Sequence, residues 1–328
     1  MLTVAEMDKP AAYHQLQRQF TDTELTIGNN PVLPLLLNHT WGWPAVYLTF
    51  RLKGEVVGLF MASFTGKEWF SLPHFSHAGF SVNKERIVEL AQTALDHRRL
   101  MFSLRHIFSG VLKEIDKPEG ILHLEYMLTD TILSSITSKD PGPDVLSSRD
   151  VFPLVTGKEY FKTLSILGLE KEVALQLKGF STAVRRKIRK AAKNGIDIRM
   201  GGAELLPDFY RVYRRGIHRL GSLGLPRKFF GRLLKDYGFG TVRVAVASLN
   251  GKPCGAGILL TYGSFAENPW FASDSKGNRH YVTYLLHQAF IEEAIKEGCS
   301  VYSFGRSTRG GPVEKYKHQW GCQEIPLY

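Results

Sequence analysis

Apolar and polar residues alternate in two early runs, 45–52 and 56–64, and Lys53-Gly54-Glu55 between them predicts a β-hairpin. Residues 69–72 predict a third strand. From 83 to 98 the period changes: Ile87, Val88, Leu90, Ala91, Ala94 and Leu95 fall at helical spacing, with Asn83 placed to cap the helix. A later strand is expected at 121–126. The run SKDPGPDVLSSRD at 138–150 is dense in Ser, Pro, Gly and Asp and predicts a linker.

Beyond it, a helical stretch is expected from Gly157. The segment FSTAVRRKIRKAAKNG at 180–195 predicts a helix capped by Ser181 and stopped by Gly195, with Val184, Ile188 and Ala191 as a narrow apolar stripe. Helices are expected at 204–220 and 229–236. Strands follow at 241–249 and 254–262 around the hairpin turn Asn250-Gly251-Lys252. A strand at 264–272, an amphipathic helix at 281–296 closed by Gly298, and a strand at 300–304 complete the pattern. Both halves run hairpin, strand, helix, strand. The reading is therefore α/β, two tandem units of mixed sheet with flanking helices, at 1–145 and 151–328.

Composition supports two globular domains: 328 residues, 44% hydrophobic and 22% charged. Net charge is +11, and its distribution matters more than its size. Residues 1–150 carry 14 basic and 17 acidic side chains, residues 151–328 carry 28 and 14, and 178–235 alone carry 16 and 3. The basic surface is local, which points to an anionic partner for that region. Three scattered cysteines, Cys254, Cys299 and Cys322, argue against a disulfide scaffold or structural zinc and fit a reducing compartment. No apolar run is long enough to span a bilayer, and residues 1–20 do not read as a signal peptide. A cytoplasmic location is expected.

Candidate chemistry clusters in the second half. Arg185, Arg186, Lys187, Arg189, Lys190 and Lys193 crowd one helix, and i,i+4 repulsion there is offset most simply by phosphates or carboxylates. The competing reading is a solvated helix face. Arg306 follows Gly305 at the expected strand end, where ligands sit in open α/β sheets. It is either a fork for a carboxylate or phosphate or a buried structural partner of Asp274 or Glu267. Ser307 and Thr308 offer hydroxyls, and Lys315 and Lys317 are expected two apart on an extended segment. Gly255 and Gly257 read as close-packing strand glycines. The segment 275–280 holds a single glycine where a phosphate-binding loop would carry several. Asp274, at a strand end, is the best-placed carboxylate for proton transfer, or else a turn cap. His74 and His77 share a Pro/Gly-bounded loop, and no histidine pair has metal-ligand spacing.

Four segments occur in order: FSTAVRRKIRKAAKNG, RVYRRGIHRLGSLGLPRKFF, WFASD and VYSFGRSTRGGPVEKYKHQWGCQEIPLY. From about Thr156 to Tyr328 they resemble the FemAB-related acyltransferases, peptidoglycan bridge-formation proteins of the GCN5-related acetyltransferase superfamily, in particular the subgroup associated with exosortase and exopolysaccharide loci. The resemblance implies tandem acetyltransferase-like domains and transfer of an acyl or aminoacyl group to an amine of a cell-envelope or polysaccharide precursor. It implies an anionic donor, acyl-CoA or aminoacyl-tRNA, used as co-substrate rather than a tightly bound cofactor, and no metal. By position it gives substrate binding to Arg185, Arg186, Arg189, Trp270, Ser273, Tyr284, His287, Ser307, Lys317 and Trp320 and a place in the terminal motif to Arg306; catalysis is expected of Arg306 and of Asp274, the carboxylate read above from its strand-end position. Ser303 stands where the family commonly has Asp before Phe-Gly-Arg, and the long helical arm of the tRNA-dependent wall enzymes is missing. Two alternatives follow: a tRNA-dependent peptidyltransferase, and a non-catalytic polyanion-binding protein on a degenerate acyltransferase fold.

Overall fold

The computed structural model describes residues 2–6, 10–20, 25–52, 54–65, 68–70, 72, 74–76, 81–83, 121–123 and 162–327. The chain divides into two compact units, Met1–Phe161 with Pro326–Tyr328, and Lys162–Ile325. The expected linker at 138–150, the body of the helix expected from Asn83, and His77 lie outside the described residues.

The first unit holds strands β1 (Leu2–Glu6), β2 (Ala45–Leu52), β3 (Glu55–Phe64), β4 (Glu68–Phe70), β5 (Ser81–Val82) and β6 (Ile121–His123), with helices α1 (Pro10–Gln17) and α2 (Leu33–Trp41). Its sheet runs β1-β2-β3-β4-β6, with β5 also pairing β3. The hairpin forms as the alternation predicts, closing at Gly54 in the left-handed region. Leu33, Leu36 and Leu37 of α2 are buried, as are Leu59 and Met61 of β3.

The second unit begins with strand β7 (Lys162–Gly168) where a helix was expected. Thr163, Leu164 and Ser165 are buried in a strand that lies between Val301–Thr308 and Gln323–Leu327, more than a hundred residues further on. Helices α3 (Val173–Gly179) and α4 (Thr182–Lys193) follow, then β8 (Ile196–Gly201), α5 (Leu206–Arg219) and α6 (Arg227–Asp236). Strands β9 (Val242–Leu249), β10 (Lys252–Tyr262) and β11 (Phe265–Ser273) form a meander. Helices α7 (Ser275–Arg279) and α8 (Val282–Lys296) lead to β12 (Val301–Thr308), α9 (Pro312–His318) and β13 (Gln323–Leu327). The sheet order is β13-β7-β12-β11-β10-β9-β8. Ser181 accepts from the Val184 N–H and caps α4 as predicted, and Gly195 ends it at φ +75°. Asn250 and Gly251 both take positive φ, the turn that suits a two-residue hairpin.

Helix α8 lies on the face of β10 that carries Gly255 and Gly257. A Cβ at Gly255 would stand 2.9 Å from Leu286, and one at Gly257 2.9 Å from the Phe290 ring. The glycines are therefore close-packing residues. The amphipathic pattern expected of α8 is only half of the picture. Val282, Leu286, Phe290, Ile291 and Ala294 are all buried, because the helix is covered by the sheet on one side and α4 on another. Helix α5 covers the opposite face, where Gly216 meets Ala272.

Candidate active site

Strands β11 and β12 are joined by the α8 crossover and run parallel. They pair at Phe265↔Val301, Ala266↔Tyr302 and Glu267↔Ser303, the full extent of their pairing among the described residues. Both then continue, to Ser273 and Thr308, without rejoining. Each strand breaks register just past the last shared rung. On β11 the ladder to β10 slips between Glu267 and Trp270, where Asn268 and Pro269 intervene. Pro269 has no N–H to donate, and Asn268 Nδ2 donates instead to the carbonyls of Ile258 (2.6 Å) and Trp270 (3.2 Å). On β12 the ladder to β7 slips between Ser303 and Arg306. Gly305 sits in that bulge at φ +73°, a conformation glycine adopts at little cost, and its N–H donates to Ser303 Oγ at 3.0 Å. The two bulges turn a parallel pair into an open wedge.

Polar side chains gather where the strands part. Lys317 on α9 is 4% exposed and donates from Nζ to the carbonyls of Gly305 (2.6 Å) and Arg306 (3.2 Å). Its ammonium thus holds both carbonyls that the β12 bulge releases from the ladder. Burial pushes its pKa down to about 8 against the opposing pull of Glu267, Glu324 and Glu314. Glu314 is fixed by the Thr163 hydroxyl (2.9 Å) and the Gly310 N–H (2.6 Å). Asn268 Oδ1 and Ser307 Oγ, one on each diverging strand, are buried without a hydrogen-bond partner among the described residues. In the adjoining cluster the Tyr316 hydroxyl and Trp320 Nε1 are in the same state, and each such atom calls for an explanation.

Beside the wedge stands an aromatic cluster. His287 is buried, its ring stacked on Phe271 at 4.6 Å, and its Nδ1 lies 2.9 Å from the Tyr302 hydroxyl. Burial, with Lys317 nearby, pushes His287 down to about 3, so the imidazole is neutral at physiological pH. Trp320 packs against Phe180 (5.1 Å), Phe304 (5.6 Å) and Tyr284 (5.8 Å, stacked). The Tyr284 hydroxyl and Lys187 both bond to Gln319 Oε1, at 2.8 and 2.7 Å, linking the basic helix α4 to this cluster.

Of the residues singled out from sequence, the structure brings Tyr284, His287, Lys317 and Trp320 together. The strand expected to end at Phe304 continues to Thr308, so Arg306 stands on β12 itself, just past the bulge, and is exposed. Its guanidinium is therefore not buried against Asp274 or Glu267, though Arg306 has an interaction within the protein. Lys315 and Lys317 are on a helix, not an extended segment, because Pro312 opens α9 at its first turn; Lys315 is exposed and Lys317 buried. Trp270 lies on the other face of the sheet from His287 and packs on Phe229 (5.3 Å) and Phe230 (5.4 Å). Ser273 Oγ is 2.6 Å from Asn278 Oδ1. Asp274 caps α7, accepting from the Gly277 N–H at 2.6 Å, as its turn-cap reading had it. Arg186 and Arg189 are exposed on α4, while Arg185 reaches the Lys178 carbonyl at 3.3 Å. Sequence reasoning missed Asn268, Glu314 and the pairing of Lys317 with the bulge. The signals available were a Pro inside a strand at 269 and a Gly inside another at 305. Among the described residues no group of His, Cys, Asp and Glu could hold a metal, and no helix is long and apolar enough to cross a membrane.

Residues 178–318 match the family described as acetyltransferase (GNAT) domain. A curated relative, the UDP-N-acetylmuramoylpentapeptide-lysine N(6)-alanyltransferase of Weissella viridescens, is 26% identical over 129 residues, and that match spans 38% of this chain and 38% of the relative. The crystal structure of FemX superposes with a TM-score of 0.65 at 14% identity, over 98% of this chain and 95% of that one. A tandem GNAT protein from the clavulanic acid biosynthesis pathway superposes at 0.58 with 10% identity, over 100% and 97%. The tandem acetyltransferase-like fold expected from the sequence is the one observed. Residues 178–318 thus match a GNAT domain, and over 129 residues the chain is similar to an alanyltransferase.

Proposed function

We propose that this chain is an N-acyltransferase that passes an acyl or aminoacyl group to an amine of a cell-envelope precursor, with the chemistry assigned to the half at 151–328. The observation that carries this reading is the wedge between β11 and β12, with Asn268 Oδ1 and Ser307 Oγ buried and unbonded on its two strands. A donor entering there meets backbone groups released from the ladder and exchanges water for fixed dipoles. The acceptor nitrogen attacks the acyl carbon, a C–N bond forms, the donor's C–O or C–S bond breaks, and the amine proton leaves with the departing oxygen or sulfur. Such a reaction asks the protein chiefly to position two substrates and to stabilise developing negative charge.

Each side chain has a part in this reading. Arg306 presents a fork at the wedge, suited to a carboxylate or phosphate. Lys317 keeps the bulge in shape and adds a fixed positive charge beneath it. Tyr284, His287 and Trp320 form a dry aromatic wall, and neutral His287 orients Tyr302. Arg185, Arg186 and Arg189 draw in the anionic donor. Asp274 serves α7 as its cap.

The acceptor class follows from the relative, whose name places an amide on the lysine of a muramoylpentapeptide. An aminoacyl-tRNA donor is the second reading. It is favoured by the segment before α8, which is a capped short helix with Gly277 pressed on the Cys254 carbonyl rather than an open phosphate loop. The test pairs acetyl-CoA or alanyl-tRNA with UDP-N-acetylmuramoylpentapeptide and weighs the acceptor by mass spectrometry. An acceptor heavier by one acyl or alanyl group supports the proposal and identifies the donor. An unchanged acceptor with every donor and amine tried refutes it.

A further inference from the structure

The chain that joins α5 to α6 carries two leucines in water. Leu220 is 76% exposed and Leu223 93% exposed. They are held there by backbone geometry. The Ser222 N–H donates to the Ile217 carbonyl (3.1 Å) and the Gly221 N–H to that of His218 (3.0 Å), a Schellman stop with Gly221 at φ +76°. Gly224 turns the chain again at φ +67°, where a Cβ would meet Ile217 and Tyr213. Leu225 then returns to the core, its N–H bonded to the Tyr213 hydroxyl at 3.0 Å. Leu223 is thus the tip of a braced loop.

The surroundings are strongly basic. Arg211, Arg214, Arg215 and His218 fall at i, i+3, i+4 and i+7 on α5, all exposed, opposite its buried residues Phe209, Val212 and Tyr213. Beyond the loop, Arg227 and Lys228 are exposed as well. From 206 to 235 the sequence holds eight Lys or Arg and a single acid, Asp208, which is paired with Arg199 and Arg211. Projecting aliphatic side chains ringed by cations match one partner chemistry: acyl chains beneath anionic headgroups. A nucleic acid would satisfy the arginines but offer nothing to Leu220 and Leu223.

We infer that the 220–225 loop and the arginine face of α5 dock this chain on the surface of an anionic lipid bilayer, with Leu220 and Leu223 inserted among the acyl chains. The loop is tied to the wedge, since Arg219, at the end of α5, donates to the Ser273 carbonyl (2.8 Å) and Ser275 Oγ (3.2 Å) where β11 ends. Docking would hold the open strand end close to the membrane plane.

Flotation with phosphatidylcholine vesicles, with and without phosphatidylglycerol, tests this with no donor or acceptor present, so its result is independent of the acyl-transfer reading. The wild-type chain should float with the phosphatidylglycerol vesicles and stay behind with phosphatidylcholine alone. Leu220→Ser with Leu223→Ser should lower partitioning at least about tenfold at unchanged charge and melting temperature. Arg214→Glu with Arg215→Glu should lower it too, and added salt should weaken the wild type. Three results would overturn the inference: no flotation by the wild type, a leucine variant that floats as well as wild type, or a leucine-dependent dimer in sedimentation without vesicle binding. The second of these would leave a purely electrostatic face of the kind a nucleic acid uses.

Discussion

Replacing Lys317 by Met tests the geometry at the wedge through its pH dependence. The substitution keeps an unbranched chain of similar length and removes the ammonium that bridges the Gly305 and Arg306 carbonyls. At neutral pH two effects oppose. Two buried carbonyls lose a donor, at about 1–3 kcal/mol each, while the cost of burying a charge disappears. The absolute change is therefore a poor gauge, and the slope with pH is a good one. Burial takes the Lys317 amine from the ordinary 10.5 to about 8. Between those values the unfolded chain binds the proton and the folded chain does not, so this group makes stability rise with pH. Working the linkage from pH 7 to pH 9.5 gives a gain of about 2 kcal/mol. Thiols pull the other way: Cys254 and Cys299, raised by burial to about 11, favour the unfolded state as pH rises above 9, equally in both proteins. Urea unfolding of both proteins across that range should show the wild type gaining about 2 kcal/mol relative to Lys317→Met. Parallel profiles would mean that the amine is solvated and that the bulge is held by something else.

Arg306→Lys should leave the melting temperature within a degree or so, since exposed side chains contribute little to stability, and should cut transfer at least about tenfold, because an ammonium cannot reproduce the fork; a large melting shift without ligand would contradict this. Gly257→Ala should cost about 1–3 kcal/mol in urea unfolding, by driving a methyl against Phe290 and Asn268. Asp274→Ala should cost about 1 kcal/mol through the lost α7 cap and leave the pH profile of transfer unmoved; a shifted profile would give that carboxylate a role in proton transfer. Charge reversal of Arg185 and Arg189 together should abolish retention on an immobilised anionic donor while circular dichroism stays native; unchanged retention would make α4 a solvated face.

Where the local signal was complete, the sequence was readable. Helix α4 carries its own cap at Ser181 and its own stop at Gly195, and the β9–β10 hairpin carries Asn250-Gly251, so both were placed without tertiary context. Strand β7 was not. Its seven residues alternate too briefly to separate strand from helix, and the partners that make it a strand come from β12 and β13. The end of β12 was misplaced because Gly305 reads as a terminator, whereas here it absorbs an extra residue and lets the strand run on. Of the candidate residues, Tyr284, His287, Lys317 and Trp320 were legible one by one, and their arrangement was not. Trp270 and His287 both read as cleft residues, yet the alternation of β11 sends Trp270 to the α6 face while Phe271 stacks on His287. Lys317 read as one of two lysines on an extended segment; its burial was not legible, since Glu314 comes beside it only once α9 forms and Glu267 and Glu324 sit on other stretches of chain.

A co-crystal structure with a non-hydrolysable acyl donor analogue tests whether the wedge is where the donor binds. The acyl carbonyl should lie between β11 and β12, within hydrogen-bonding reach of Asn268 or Ser307 and with Arg306 on an anionic group. A donor bound elsewhere, with the wedge unchanged and those two atoms still unbonded, would contradict it.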